Sequence, residues 1–300
     1  PNGEWFKSMM EKELATGEGF LKKPLGLIDR ESVWKRIQKA GLTEAEVGYL
    51  WMDESLGLIL DKLDSLGIAD NTIVVFVSDH GSERKGSLIK TRGTEIPCLI
   101  RWPKVIKPGS VSHGLLQNTD FVPTWFELAK AKIPKGYHID GKSLVPMFEN
   151  PSISVREFIY AEQGAARAIK TDTLEYLSIR YTDEQIAMAQ SKRSDRTYKT
   201  LLGLSSGISR ARYFHPDIFS ADQLYDLSKD PDSQNNLATD PSYAGQLKKM
   251  KNMLTKTVKN LGSRPYGDFV QGEGTSDAEA SQKVLDQLAA YHAKESKKKK

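Results

Sequence analysis

The sequence predicts an α/β fold: a mostly parallel central sheet with flanking helices, followed by a smaller antiparallel α+β subdomain. Three observations carry this reading. The stretch "TIVVFVS", residues 72–78, is rich in β-branched residues and apolar on both faces. A strand inside a parallel sheet, covered by helices on each side, reads that way. A long helical period precedes it, which sets an αβ order. After about residue 150 the long apolar runs give way to short, polar-interleaved ones.

Residues 1–42 are polar and mixed, with helical patches such as "ESVWKRIQKA". The first sharp signal is "LTEAEVGYLWMDESLGLILDKLDSLG", residues 42–67. Thr43 and Glu46 have capping-box spacing, and Leu42 and Val47 are placed for a hydrophobic staple. Leu56, Ile59, Leu60 and Leu63 keep helical spacing, and Gly67 suits the position just past a helix end. A second strand, "IPCLIRW" (96–102), stops at Pro103. "TDFVPTWFELAKAK" predicts a helix with Asp120 near its start and Pro123 in its first turn. Beyond residue 150, "EFIYAEQ", "LEYLSIRYT" and "QLYDLSKDPDSQNNL" read as short antiparallel strands and turns. "YAGQLKKMKNMLTKTVKNL" reads as an amphipathic helix, and the Gly-, Ser- and Lys-rich 263–300 as a tail with a helical stretch. The predicted divisions are 1–150, 151–262 and 263–300.

With 300 residues the chain is long enough to bury roughly 75% of its unfolded surface. Its formal charge is +4, part of it from Lys297 to Lys300, which argues against a general nucleic-acid surface. No apolar run approaches the ~20 residues of a membrane-spanning helix. The single cysteine, Cys98, excludes an intrachain disulfide and reads as a buried structural thiol.

The chemistry concentrates where the first strand runs out, in Asp79-His80-Gly81, with Lys85 close behind. Ligands in open α/β sheets bind beyond the carboxyl ends of strands. Asp offers a hard oxygen and His an imidazole nitrogen, so the pair suits a metal. Lys85 is a compact cation able to neutralise an anionic oxygen. Asp and Gly are also ordinary turn formers, and capping is the alternative for the tripeptide alone.

Several motifs in order resemble the C-terminal part of a sulfatase, of the arylsulfatase-like family in the alkaline phosphatase superfamily. They are "YLWMDESLGLILDKLDSLGIADNTIVVFVSDHG", "KGSL" with "IPCLIRWP", "NTDFVPTWFELAKAKIP", "DGKSL" and "QLYDLSKDPDSQNNL". The similarity covers roughly residues 45–260. It implies an alkaline phosphatase-like fold and a metal-dependent sulfuric ester hydrolase. Asp79 and His80 fall on two metal-ligand positions, and Lys85 on the lysine that contacts sulfate. Arg92, Arg167 and His113 are further candidates for substrate contact.

The chain departs from the family in three places. It holds no Cys- or Ser-x-Pro-x-Arg motif, whose first residue becomes formylglycine; Cys98 is followed by Leu-Ile-Arg. The family's paired aspartates and mid-chain histidine are absent too. The resemblance therefore implies a nucleophile and remaining ligands upstream of Pro1, with this chain inactive alone. The segment "IKTRGTE" is one residue longer than usual, which leaves Lys90 as the alternative to Lys85. Histidine after the aspartate, where many members carry Asn, keeps Ca²⁺ as the expected ion with Mn²⁺ or Zn²⁺ as alternatives. The resemblance also implies a sulfated-carbohydrate substrate, no nucleic-acid partner, and a periplasmic or secreted place. The competing functions are a phosphoryl or phosphonate ester hydrolase of the same superfamily and a non-catalytic glycan-binding remnant.

Overall fold

The computed structural model describes residues 13–16, 19–22, 30–81, 91–163, 166–180, 217 and 220–261. The helical stretch expected near residues 278–294 lies outside them. Two compact units share the chain. One takes the chain up to Val74 plus Ile100–Pro108; the other takes Val75–Leu99 and the chain from Gly109 onward.

The first unit opens with a hairpin of β1 (Glu13–Thr16) and β2 (Gly19–Lys22), with Leu14 opposite Leu21. The sequence reading had only helical patches here. Gly17 opening a two-residue link is the hairpin signal, but "ELAT" is a weak strand former. Helix α1 (Arg30–Lys39) and helix α2 (Val47–Ser65) follow. Val33, Ile37 and Val47 form their shared core, flanked by Trp34, Leu50 and Trp51. The capping box forms: the Glu46 carboxylate accepts from the Thr43 backbone N–H at 2.7 Å. Val47 is buried, but Leu42 is 48% exposed, so the staple residue lies on the surface. Gly67 takes φ +66° past the end of α2, the left-handed conformation that favours glycine.

Strand β3 (Val74–Val77) pairs with β4 (Cys98–Arg101) in a two-stranded sheet. The burial expected on both faces of β3 is not found: none of its residues is buried, and Val77 is 42% exposed. A strand apolar on both sides needs a layer on each face, and among the described residues β3 has one neighbouring strand. Cys98 is half-buried rather than buried, and that desolvation pushes its thiol pKa up. Between the strands lies the short helix α3 (Thr91–Thr94).

In the second unit, helix α4 (Phe121–Leu128) starts from a 3-10 turn at Asn118–Asp120, and helix α5 is Val145–Glu149. Asp120 is fully buried. Its carboxylate accepts from the backbone N–H groups of Gln117 and Lys142, at 2.7 and 2.8 Å, and from the Arg156 guanidinium. Gly141 permits this closeness, because a Cβ there would stand 2.0 Å from the Thr119 carbonyl oxygen. The "DGKSL" motif therefore closes around Asp120.

Strands β5 (Ile159–Gln163), β6 (Ala166–Lys170), β7 (Leu174–Ile179) and β8 (Asp222–Asp226) form an antiparallel sheet in sequential order, as the texture change predicts. Ile169 stands opposite Tyr176, and Tyr176 opposite Leu224. These three meet Met250, Leu254 and Val258 of helix α6 (Ala244–Asn260), which recur at helical spacing. Residues of the opposite face, among them Ala168, Leu177 and Tyr225, are buried as well.

Both edges of this sheet are occupied by an amide side chain. Gln117 donates to the Tyr160 carbonyl at 2.7 Å and accepts from its N–H at 3.3 Å. On β8, Asn236 accepts from the Leu224 N–H at 3.0 Å and donates to the Asp222 carbonyl at 3.1 Å. Such cover satisfies backbone groups that an open edge would offer to another strand.

Candidate metal and substrate site

The turn after β3 is built by short-range hydrogen bonds. The Ser78 hydroxyl donates to the His80 carbonyl at 2.8 Å, a local bond that competes with continuing the strand. The chain then turns through Asp79 and His80 to Gly81. The Gly81 N–H donates to the Gly93 carbonyl at 3.1 Å. Gly81 and Gly93 are both buried, so this bond clasps the two ends of the 82–92 segment.

Asp79 and His80 are brought together. The Asp79 side chain is 76% exposed and the His80 ring 35%. His80 Nε2 lies 3.5 Å from Asp79 Oδ1. His80 Nδ1 lies 2.8 Å from the Gly81 carbonyl oxygen. A carbonyl can only accept, so Nδ1 carries the proton of that bond, and in the one-proton tautomer that a metal ligand needs the lone pair falls on Nε2. That lone pair and the carboxylate oxygen then form a side-by-side donor set. Adjacent ligands at right angles around Ca²⁺, each at about 2.3–2.6 Å, stand about 3.3–3.7 Å apart. The 3.5 Å spacing fits two positions of one coordination shell. Among the described residues, no third His, Cys, Asp or Glu completes a cluster around them.

Lys85 and Lys90 lie outside the described residues. Arg92 falls in α3, one residue from the Gly93 clasp; its side chain lies outside the described residues. Arg167 is on β6, opposite Glu162 of β5, and its Nε stands 3.1 Å from the Glu162 carboxylate. His113 is exposed in the segment between β4 and the 3-10 turn, and His138 is exposed as well. His215 lies outside the described residues. Sequence reasoning missed Ser78 and Gly93, which shape the turn. Serine two residues before the carbonyl it bonds was a readable signal; the Gly93 contact was not, because it is tertiary.

No helix among the described residues is long and apolar enough to cross a membrane. Residues 48–131 match the sulfatase family model. An ulvan-active sulfatase of Formosa agariphila is 31% identical over 217 residues, covering 70% of this chain and 41% of that protein. An N-acetylglucosamine-6-O-sulfatase of Bacteroides thetaiotaomicron is 29% identical, over 70% of this chain and 34% of its own length. A solved structure in complex with its substrate D-glucosamine-2-N,6-O-disulfate superposes with a TM-score of 0.52 at 23% identity, covering 76% of this chain and 45% of that one. The chain thus spans less than half the length of these relatives and shares the sulfatases' fold. The family that this chain is similar to is the sulfatase family.

Proposed function

We propose that this chain forms part of a hydrolase of sulfate esters carried on carbohydrates. Asp79 and His80 supply two ligands of its divalent cation, Ca²⁺ with Mn²⁺ or Zn²⁺ as alternatives. The observation that carries the reading is the Asp79–His80 donor pair, 3.5 Å apart, with the Gly81 carbonyl fixing the ring. A cation there would act as a Lewis acid on a sulfate oxygen. The residues of this chain have separate tasks. The Gly81 carbonyl holds the His80 proton on Nδ1 and so keeps Nε2 a donor. Asp79 adds the charge of a hard oxygen ligand. Lys85, with Lys90 as its alternative, neutralises charge developing on the sulfate group. The Gly81–Gly93 clasp supports this, because the lysine-bearing segment begins and ends beside the donor pair. Arg92, Arg167 and His113 are proposed to touch the remainder of the substrate.

Sulfatases generally use a formylglycine nucleophile. This chain holds no Cys- or Ser-x-Pro-x-Arg sequence, so the nucleophile is proposed to be supplied from outside it. We also propose that residues 1–150 belong to the catalytic domain, 151–262 to a smaller subdomain and 263–300 to a tail. On this reading β3 and β4 run parallel within a larger sheet. A link of 20 residues containing a helix suits a parallel crossover. A periplasmic or extracellular location goes with the family.

The test joins this chain to a formylglycine-bearing segment and assays an aryl sulfate beside an aryl phosphate. Sulfate release should be abolished by Asp79→Ala and lowered on the order of 10²–10³-fold by Lys85→Ala. Release of phosphate alone would replace this reading with a phosphoryl ester hydrolase.

A further inference from the structure

Helix α6 packs one face on the sheet and carries five lysines with no acidic residue over Ala244–Asn260. Lys248, Lys249, Lys256 and Lys259 are exposed. Lys251 differs from them, because it is half-buried and bonds the Asp222 carboxylate at 2.5 Å. The other four have no ion pair among the described residues. Helices exposed to water usually interleave signs, since like charges three or four residues apart repel. Here Lys256 and Lys259 stand three apart with nothing between them to offset the repulsion. Two shallow grooves flank the lysines. One, of about 320 Å³, is lined by Asp240, Pro241, Leu247, Lys248, Lys251 and Asn252 among others. The other, of about 450 Å³, is lined by Lys249, Asn252, Met253 and Lys256. From Lys248 to Lys259 the helix rises about 17 Å, enough to meet several charges of one polymer.

We propose that the exposed face of α6 is an accessory binding surface for sulfated polysaccharide chains, separate from the Asp79–His80 pair. The choice of ligand rests on the sulfated-carbohydrate reading above. The composition of the face selects among polyanions. Exposed Gln246, Asn252 and Asn260 offer amides for sugar hydroxyls beside the cations. No aromatic residue lies on the helix to stack nucleic-acid bases. Its outward positions hold no large apolar side chain to enter a lipid surface. Lysine suits sulfate groups along a flexible chain, since it acts as a mobile point charge.

The test measures binding of the full chain to heparin across a salt series, without turnover. It therefore stands or falls independently of hydrolysis. Lys248→Gln, Lys249→Gln and Lys256→Gln combined should weaken binding on the order of tenfold or more at about 0.1 M salt, and should reduce the salt slope by roughly one per lysine. The matched triple, Lys104→Gln, Lys132→Gln and Lys135→Gln, should change binding little. Equal losses from both triples would overturn the proposal. So would binding that disappears only when Lys297 to Lys300 are changed to Gln. Equal affinity for a single-stranded oligodeoxynucleotide of matched charge, lost in the same α6 triple, would overturn the choice of partner.

Discussion

The β5–β8 sheet and the β3–β4 pair are both built of apolar strands, yet they occupy opposite environments. In the sheet, Ile169, Tyr176, Leu177, Leu224 and Tyr225 are completely buried. Helix α6 covers one face, and Gln117 and Asn236 occupy the two edges. In the pair, Val77 is 42% exposed and Leu99 62%, and no residue of either strand is buried. Packing positions the side chains of the sheet. At the end of β3, the Ser78 hydroxyl, the Gly81 carbonyl and the Gly81–Gly93 backbone bond position Asp79 and His80 instead. The proposed site lies in the less covered region, where local stability is expected to be lowest and ligand access greatest.

The largest effect should come from the buried carboxylate that fastens the 117–120 turn beside β5. Asp120→Ala leaves the Arg156 guanidinium without its charge partner, and that side chain is only 9% exposed. A loss of about 3–5 kcal/mol is expected in urea unfolding. A loss under about 1 kcal/mol would mean that the sheet does not depend on this anchor. Next come paired truncations across the two regions. Leu224→Ala should cost about 2–5 kcal/mol, and Val77→Ala less than about 1 kcal/mol. Similar values in both places would remove the contrast between the regions.

The smallest effect is a pH dependence. Burial works against the Asp222 carboxylate, but hydrogen bonds from Lys251, Tyr176 and Arg180 outweigh it and hold its pKa below the ordinary value. Burial, with the Asp222 contact, pushes the Tyr176 phenol up. A depressed carboxylate contributes stability above its unfolded pKa of about 3.9 and loses it as pH falls through the folded value. The gap in melting temperature between the parent and Asp222→Asn should therefore narrow as pH drops below about 4. A gap that stays constant to the lowest pH at which the fold survives would contradict this.

Much of the fold was legible wherever its signal was local. The Thr43–Glu46 box, the glycine after α2, the start of α4 and the amphipathic α6 are each set by residues a turn or two apart. The end of β3 and its Asp-His pair were legible for the same reason. What escaped depends on contacts between distant residues. Gln117 reaches Tyr160 across 43 positions, and Gly81 meets Gly93 through a backbone bond that no side-chain pattern announces. The burial of β3 was over-read because a pattern apolar on both faces reports what a strand needs, not what covers it.

The most direct measurement is a double-mutant cycle on cation binding by this chain. Mn²⁺ is titrated into the parent, Asp79→Ala, His80→Ala and the combined variant, with paramagnetic broadening of the Gly81 amide as readout. Two ligands in an exposed turn should bind weakly, at about 10⁻⁴–10⁻³ M or above. If Asp79 and His80 share one cation, either single change removes most of the broadening and the second adds little. Broadening that survives both changes, or that falls independently with each, would contradict a shared metal site.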